Sequence, residues 1–446
     1  MKAGAAIRDI TPKAPIQLCG YPESPISTGT HDPFYIAAFY FADAQTKILY
    51  LTADLLFFAR ARVDKITAEI SEKTGVAQEN ILLAATHTHY GPAPDCDIYN
   101  EAFGPELCPE YMENVQRCAV EAAVEAVEHA FEAKLGYGSG FCGKEQGIGG
   151  NRHDPEKYAQ DPEVQILAIA DETETVRGIL TGYALHPTVL PTDTTLASTD
   201  YVGYLRRTVE QAYPGAVFGF MQGCSGNQSS RYYRHEQSYR EAERFGSTIG
   251  GEAVRVLKGL TFHPVRTPLA AKRIWYAPSH MCRIPPYAEA KETAEKARVD
   301  YETLVCRHAP EADCRSAECT KIGTEIMLVY ARDAEKYGTE AVLATNTPIE
   351  LHVVQLGGMA IASVAAEVFV EVGLAVKKTS PFAMTMLSCL TGGSSQSYIC
   401  SHYAYEAMYY EPSESLYGEG TAEELTEVLK TELQKLDQEG AAAETR

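Results

Sequence analysis

Apolar runs of five to seven residues alternate with amphipathic stretches along much of this chain. Lys47 to Ala53 holds Ile48, Leu49, Tyr50 and Leu51 in one block and ends at Asp54. It reads as a buried strand. Arg62 to Lys73 places Val63, Ile66 and Ile70 on one helical face, and Gly75 stops it. Ile81 to Ala85 is a second strand. Pro109 to Ala133 reads as one long helix with a stripe of Val115, Ala119, Ala122 and Ala126, and His129 is assigned to its solvent side. Val164 to Ile169, Ile179 to Leu185 and Ala216 to Met221 are further strands, with a helix over Tyr204 to Tyr213 before the last of them.

From about Pro285 to Lys336 the composition turns charged and alanine-rich, which predicts a helical hairpin inserted into the domain. Strands resume at Glu350 to Leu356 and Met359 to Ala365. A helix over Val368 to Lys377 precedes a strand at Ala383 to Leu390, and a last amphipathic helix covers Thr421 to Leu436. Residues 438–446 read as a disordered tail. Segments 47–91 and 351–398 share a faint order of strand, helix, strand and polar loop. The pattern predicts an α/β fold: a mixed β-sheet core covered by helices, in one domain over residues 1–437, with the helical insertion at 285–336.

Composition narrows the function classes. The 446 residues carry 60 acidic against 39 basic side chains, a formal net charge of −21. That argues against nucleic acid and against an anionic membrane surface. No apolar stretch approaches the ~20 residues that span a bilayer. No apolar run follows Lys2, so no signal peptide is expected, and the 12 cysteines include no CxxC pair. The expectation is a cytoplasmic protein with reduced thiols and no stable membrane insertion, homo-oligomerisation being left open.

The candidate chemistry sits where strands end. Ala85-Thr86-His87-Thr88-His89 directly follows an apolar strand, and the carboxyl ends of strands are where open α/β sheets bind ligands. Imidazole is the commonest zinc ligand. Four other strand ends carry reactive groups: His186 before Pro187, the Gly226-Asn227-Gln228-Ser229 loop, Glu367 and Tyr398. Glu367 lies in the apolar run Ala365 to Phe369, where a lone carboxylate needs a cation or a metal as partner. The serine loop reads either as a plain turn or as a backbone nest for an anion.

Several stretches together resemble the catalytic domain of the neutral/alkaline non-lysosomal ceramidase family over nearly the whole chain. They are Ile7-Arg8-Asp9-Ile10-Thr11-Pro12, Gly20-Tyr21-Pro22, Gly29 to Pro33, the Thr86-His87-Thr88-His89 motif, Gly150-Asn151-Arg152 with Tyr158, His186-Pro187-Thr188 with Ser198 to Tyr201, Gly226 to Ser229, and Tyr398-Ile399, Tyr405 and Tyr410-Glu411. The resemblance implies Zn²⁺ held by His87, His186, Glu367 and Tyr398. It implies His89 as general acid/base, and Arg152 and Tyr410 on the substrate carbonyl or its oxyanion. Ser229 matches the family's loop serine, and a pocket or oxyanion role is expected of it.

This chain departs from the family pattern in places. Tyr90 stands where the family has serine, Pro187-Thr188 replaces Gly-Thr, Ser230 replaces a proline, and an arginine near Ala37 is absent. No C-terminal immunoglobulin-like domain is expected. The zinc shell matches while the substrate-facing shell differs, so the expected reaction is hydrolysis of an N-acyl or amide bond in a small or lipid-like substrate other than membrane ceramide. A second reading keeps the metal for an ester, a lactone or a sugar-like substrate. A third is a binding protein without catalysis.

Overall fold

The computed structural model describes residues 1–21, 24–94, 108–393 and 397–444. Its core is one motif used three times. In the first copy β1 (Lys2–Asp9), β2 (Tyr35–Ala42) and β3 (Lys47–Ala53) form an antiparallel meander, and α1 (Arg60–Thr74) then crosses to β4 (Ile81–Ala85), parallel to β3. A second helix, α2 (Pro109–Glu128), follows. The second copy repeats this order: β5 (Lys134–Phe141), β6 (Glu163–Ala170), β7 (Val176–Tyr183), α3 (Tyr201–Ala212), β8 (Val217–Gln222) and α4 (Tyr239–Lys258). In the third copy β9 (Ala270–Tyr276) leads into a hairpin of α5 (Tyr287–Cys306) and α6 (Glu311–Tyr337). Then come β10 (Ile349–Leu356), β11 (Met359–Val364), α7 (Val370–Thr379), β12 (Met384–Cys389) and α8 (Thr421–Glu444). The faint symmetry between 47–91 and 351–398 is therefore real, and residues 134–258 are its third member.

The registers agree as well. The last residue of the third strand faces the last residue of the fourth in every copy: Ala53 opposite Ala85, Tyr183 opposite Gln222, Val364 opposite Cys389. The first, third and fourth strands of each copy run the same way, so their carboxyl ends share one edge of their sheet. The connections from first to second strand leave from that edge too.

The three sheets pack on one another through a common core, with Phe39, Tyr50 and Leu82 from the first, Leu167, Leu180 and Met221 from the second, and Val354, Ile361 and Met386 from the third. Hydrogen bonds stitch the sheets together. Thr52 Oγ1 donates to the Phe220 carbonyl (2.6 Å), Gln165 Nε2 donates to the Thr385 carbonyl (3.0 Å), and the Tyr50 and Ser388 hydroxyls lie 2.9 Å apart. The outer face of each sheet is covered by its own helices: α1 and α2, α3 and α4, α7 and α8. Strands buried on both faces read as continuous apolar runs, which is why β3, β4 and β10 stand out in the sequence.

Some boundaries differ from those read off the sequence. The helix expected over Pro109 to Ala133 ends at Glu128, because Phe131–Glu132 pairs with the start of β1 as an edge strand. The last helix runs past Leu436 to Glu444 through Ala441-Ala442-Ala443, the best helix formers. His129 is exposed, as expected. Among the described residues no helix is long and apolar enough to cross a membrane.

Candidate metal centre

At the shared strand ends three ligand atoms meet. His87 Nε2 is 3.1 Å from His186 Nε2 and 3.2 Å from Glu367 Oε2, and His186 Nε2 is 3.0 Å from the same oxygen. Each copy of the motif supplies one of them. His87 lies two residues past β4, His186 three past β7 and Glu367 three past β11. All three are buried.

The second ring nitrogens anchor the two rings. His87 Nδ1 donates to the Leu56 carbonyl at 2.9 Å and His186 Nδ1 to the Ser225 carbonyl at 2.7 Å. A neutral imidazole that donates from Nδ1 carries a bare lone pair on Nε2. In that neutral form two such lone pairs and a carboxylate oxygen face one another. A cation resolves that repulsion, and the spacing suits it: a tetrahedron with zinc–ligand bonds of about 2.0–2.1 Å has edges of roughly 3.3 Å. The donor set of two imidazoles and a carboxylate is one zinc accepts. Among the described residues His87, His89 and His186 also form a trio of imidazoles that could hold a metal, with ligand atoms within 4.8 Å of one another.

His89 is half-buried and stands slightly apart. Its Nε2 is 3.4 Å from that of His87, and its Nδ1 donates to the Gly20 carbonyl at 2.9 Å. Burial, together with the neighbouring His87 and His186, holds its pKa well below the usual imidazole value, so it is neutral. Burial lowers His186 as well. Burial alone would raise the Glu367 carboxyl, but His87 and His186, wherever a ring carries a proton on Nε2, outweigh it and pull it well below the usual value.

The backbone at His87 is bent to fit. Its φ is +70°, a left-handed conformation that costs a non-glycine residue energy and clusters at functional sites. A buried ion pair braces the turn: Arg206 Nη2 donates to both oxygens of Asp54, at 2.8 and 2.6 Å. Asp54 in turn accepts from Thr86 Oγ1 (3.3 Å) and the Tyr35 N–H (2.8 Å). Asp200, also at positive φ, accepts the N–H groups of Val189, Leu190 and Tyr201 and so shapes the loop after His186. Sequence reasoning noted Asp54 only as a strand end and did not single out Arg206.

The remaining candidates lie around this centre. Tyr398 pairs in parallel register with Glu367 and is buried beside it. The Arg152 guanidinium lies 5.3 Å from the Tyr398 ring and 5.0 Å from the Tyr410 ring. Arg152 is fixed by the fully buried Glu411, whose Oε1 accepts from Nε at 2.8 Å and which also meets His153 Nε2 at 2.9 Å. Arg152 Nη2 also lies 2.8 Å from Glu411 Oε1, so the carboxylate holds the guanidinium through two nitrogens. The position of Glu411 as a positioning group was missed. Its signal was the one that marked Glu367, an acid in an apolar and aromatic run.

Ser229 is less central. It pairs with Gly150 in a two-residue bridge, and its Oγ accepts the Arg231 N–H at 3.2 Å. Among the described residues no hydrogen bond joins it to the histidines. The loop around it is a splice rather than an anion nest, since the Gly226 and Gln228 N–H groups go to the Val368 and Ser225 carbonyls. Asn227 Oδ1 accepts the Val370 N–H at the start of α7. The polar loop before Tyr398 includes residues 394–396, which lie outside the described residues.

Residues 1–232 match the family described as neutral/alkaline non-lysosomal ceramidase, N-terminal. Curated relatives include a neutral ceramidase of Pseudomonas aeruginosa, 28% identical over 250 residues, which is 51% of this chain and 36% of that protein. A neutral ceramidase of Mycobacterium tuberculosis is 26% identical over 244 residues, 49% of this chain and 37% of that protein. The chain thus aligns with little more than a third of the length of these relatives. The crystal structure of the neutral ceramidase from Pseudomonas aeruginosa superposes over 98% of this chain and 74% of that one, with a TM-score of 0.73 at 19% identity. A ceramidase complexed with C2 superposes over 98% and 75%, with a TM-score of 0.71 at 18% identity. These structures share the fold.

Proposed function

This chain belongs to the neutral/alkaline non-lysosomal ceramidase family, and on that premise we propose that it is a zinc-dependent hydrolase cleaving an N-acyl amide bond. The observation that carries the proposal is the meeting of His87 Nε2, His186 Nε2 and Glu367 Oε2 within 3.0–3.2 Å of one another. Tyr398, in register with Glu367, completes the set of ligands. A zinc ion held there supplies a Lewis acid that polarises a carbonyl and acidifies water.

The chain's own groups do the rest. His89 is neutral, half-buried and anchored through Nδ1, so its Nε2 takes a proton from the attacking water and returns it to the leaving nitrogen. Arg152, held in place by Glu411, and Tyr410 bind the oxygen on which charge develops. Ser229 lines the pocket wall. The substrate is a small or lipid-like amide.

The test pairs metal content with turnover. Wild type binds close to one zinc per chain and hydrolyses N-acyl amides. His87→Ala loses both metal and activity. His89→Ala keeps the metal and loses activity. Hydrolysis of esters or lactones with no amide turned over sinks the amidase reading, and a chain that refuses zinc sinks the metal.

A further inference from the structure

The connections from first to second strand leave each sheet at the same edge as the metal centre, and each brings a side chain to it. The first connection carries Tyr21, whose ring centroid is 5.1 Å from that of His89. The second carries Arg152. The third is the inserted hairpin. Its helix α6 packs on the segments around the centre: Ser316 Oγ accepts from Arg231 Nη2 at 3.1 Å, and a Cβ at Gly323 would fall 3.1 Å from the Tyr410 carbonyl.

The residue that α6 presents at this point is Arg315. Its guanidinium lies 5.6 Å from the Tyr21 ring, one ring away from His89. Its Nη1 donates to Glu318 Oε2 at 2.5 Å, and its side chain is 30% exposed, so it is held yet reachable. One turn on, burial raises the thiol of Cys319, with Arg315, Arg152 and Arg231 opposing the rise and Glu411 adding to it. Tyr90, one of the departures from the family pattern, has its hydroxyl 3.2 Å from that of Tyr21 and props the ring that Arg315 covers. Arg231 lies beside Arg315, bonded to the neighbouring Ser316, while Arg152 is held by Glu411 and Arg315 by Glu318, in a chain of net charge −21. A guanidinium has more N–H donors than one carboxylate uses, and its planar fork suits a second carboxylate.

We propose that the substrate of this site carries an anionic group, a carboxylate, bound by Arg315 of the inserted hairpin with Arg231 beside it. The hairpin is then a specificity element that turns the centre toward acidic amides. This inference rests on the amidase reading for its reaction but not for its binding. A neutral amide gives Arg315 no charged partner beyond Glu318 to repay the loss of water around its remaining donors.

The experiment compares an N-acylglycine with the N-acylethanolamine of the same acyl chain, identical but for a carboxylate in place of a hydroxymethyl group. Zinc-loaded full-length protein, R315M and R315K are assayed for kcat/KM, and separately for heat stabilisation by each amide. The expected result is a preference for the acid of about tenfold or more in wild type, largely lost in R315M and partly restored in R315K. Stabilisation by the acid falls in the same order. If neither amide is hydrolysed but the acid still binds through Arg315, the amidase reading falls and this inference stands. If amides are hydrolysed with the neutral one preferred, or R315M matches wild type toward the acid, this inference falls and the amidase reading stands. Failure of wild type to bind either amide overturns it as well.

Discussion

His87 and His186, 99 positions apart in sequence, face each other Nε2 to Nε2 at 3.1 Å, each pinned from behind by a backbone carbonyl. Neither ring can turn away without losing its carbonyl, so the two lone pairs are held against each other in advance of any cation. Metal binding relieves that arrangement. Adding zinc to metal-stripped protein raises its melting temperature, and the increase disappears in His186→Ala and in Glu367→Gln. Calorimetric melts with and without zinc measure this, and equal increases in all three proteins would refute the ligand assignment.

The Asp54–Arg206 pair braces the His87 turn from inside the core. Removing one partner leaves a buried charge alone, so Arg206→Met costs about 3–5 kcal/mol of stability. Replacing both, as Asp54→Leu with Arg206→Met, costs less than the sum of the single changes. Urea unfolding of the four proteins closes the cycle. Strict additivity would mean that the two groups do not act on each other.

Glu411 acts through Arg152 rather than on substrate. Ionisation of this buried carboxyl would be opposed by burial alone, but Arg152 and His153 hold its pKa below the usual value. Glu411→Gln leaves Arg152 without its anchor and lowers kcat roughly tenfold or more, with less change in KM. Glu411→Asp recovers part of the loss. An effect confined to thermal stability would reduce the residue to a structural role.

Acid stability depends on His352. It is buried in β10, and burial, with the charges of Arg273 and Arg60, pushes its pKa down to about 3. The unfolded chain takes up this proton near pH 6.5 and the folded one does not. The stability tied to His352 is complete above pH 6.5 and is lost as pH falls from there toward 3. Melting temperatures across this window fall less steeply in His352→Leu than in wild type, and parallel curves would exclude the residue as the cause.

Much of this architecture was legible along the chain. Lys47–Ala53 and Ile81–Ala85 are strands at the bounds read from the sequence, since both sheet faces are buried and the apolar signal is unbroken. Other elements were hidden by glycine. β5 reads Lys-Leu-Gly-Tyr-Gly-Ser-Gly-Phe, a poor strand on propensity, yet a Cβ at Gly140 would fall 2.0 Å from the Glu252 side chain of α4. α4 itself contains Gly246, where a Cβ would lie 2.2 Å from the Tyr201 carbonyl at the start of α3. The glycines that weaken local propensity are there to let neighbouring elements approach. With β5 and α4 obscured, the second copy of the motif went unseen, and with it the threefold pattern.

The sequence by itself determined the α/β class, the inserted hairpin and the polar groups that end the strands, because periodicity and strand-end chemistry are local properties of neighbouring residues. It carried the family's motifs as well. Only the tertiary structure decided that three copies of one motif stack their strand ends on a common edge. That juxtaposition sets His87, His186 and Glu367 within 3.2 Å of each other, anchors Arg152 on Glu411, and swings Arg315 across the ring beside His89. These are contacts between residues from 99 to 294 positions apart. Their geometry follows from sheet register and from packing between sheets, which no local pattern encodes.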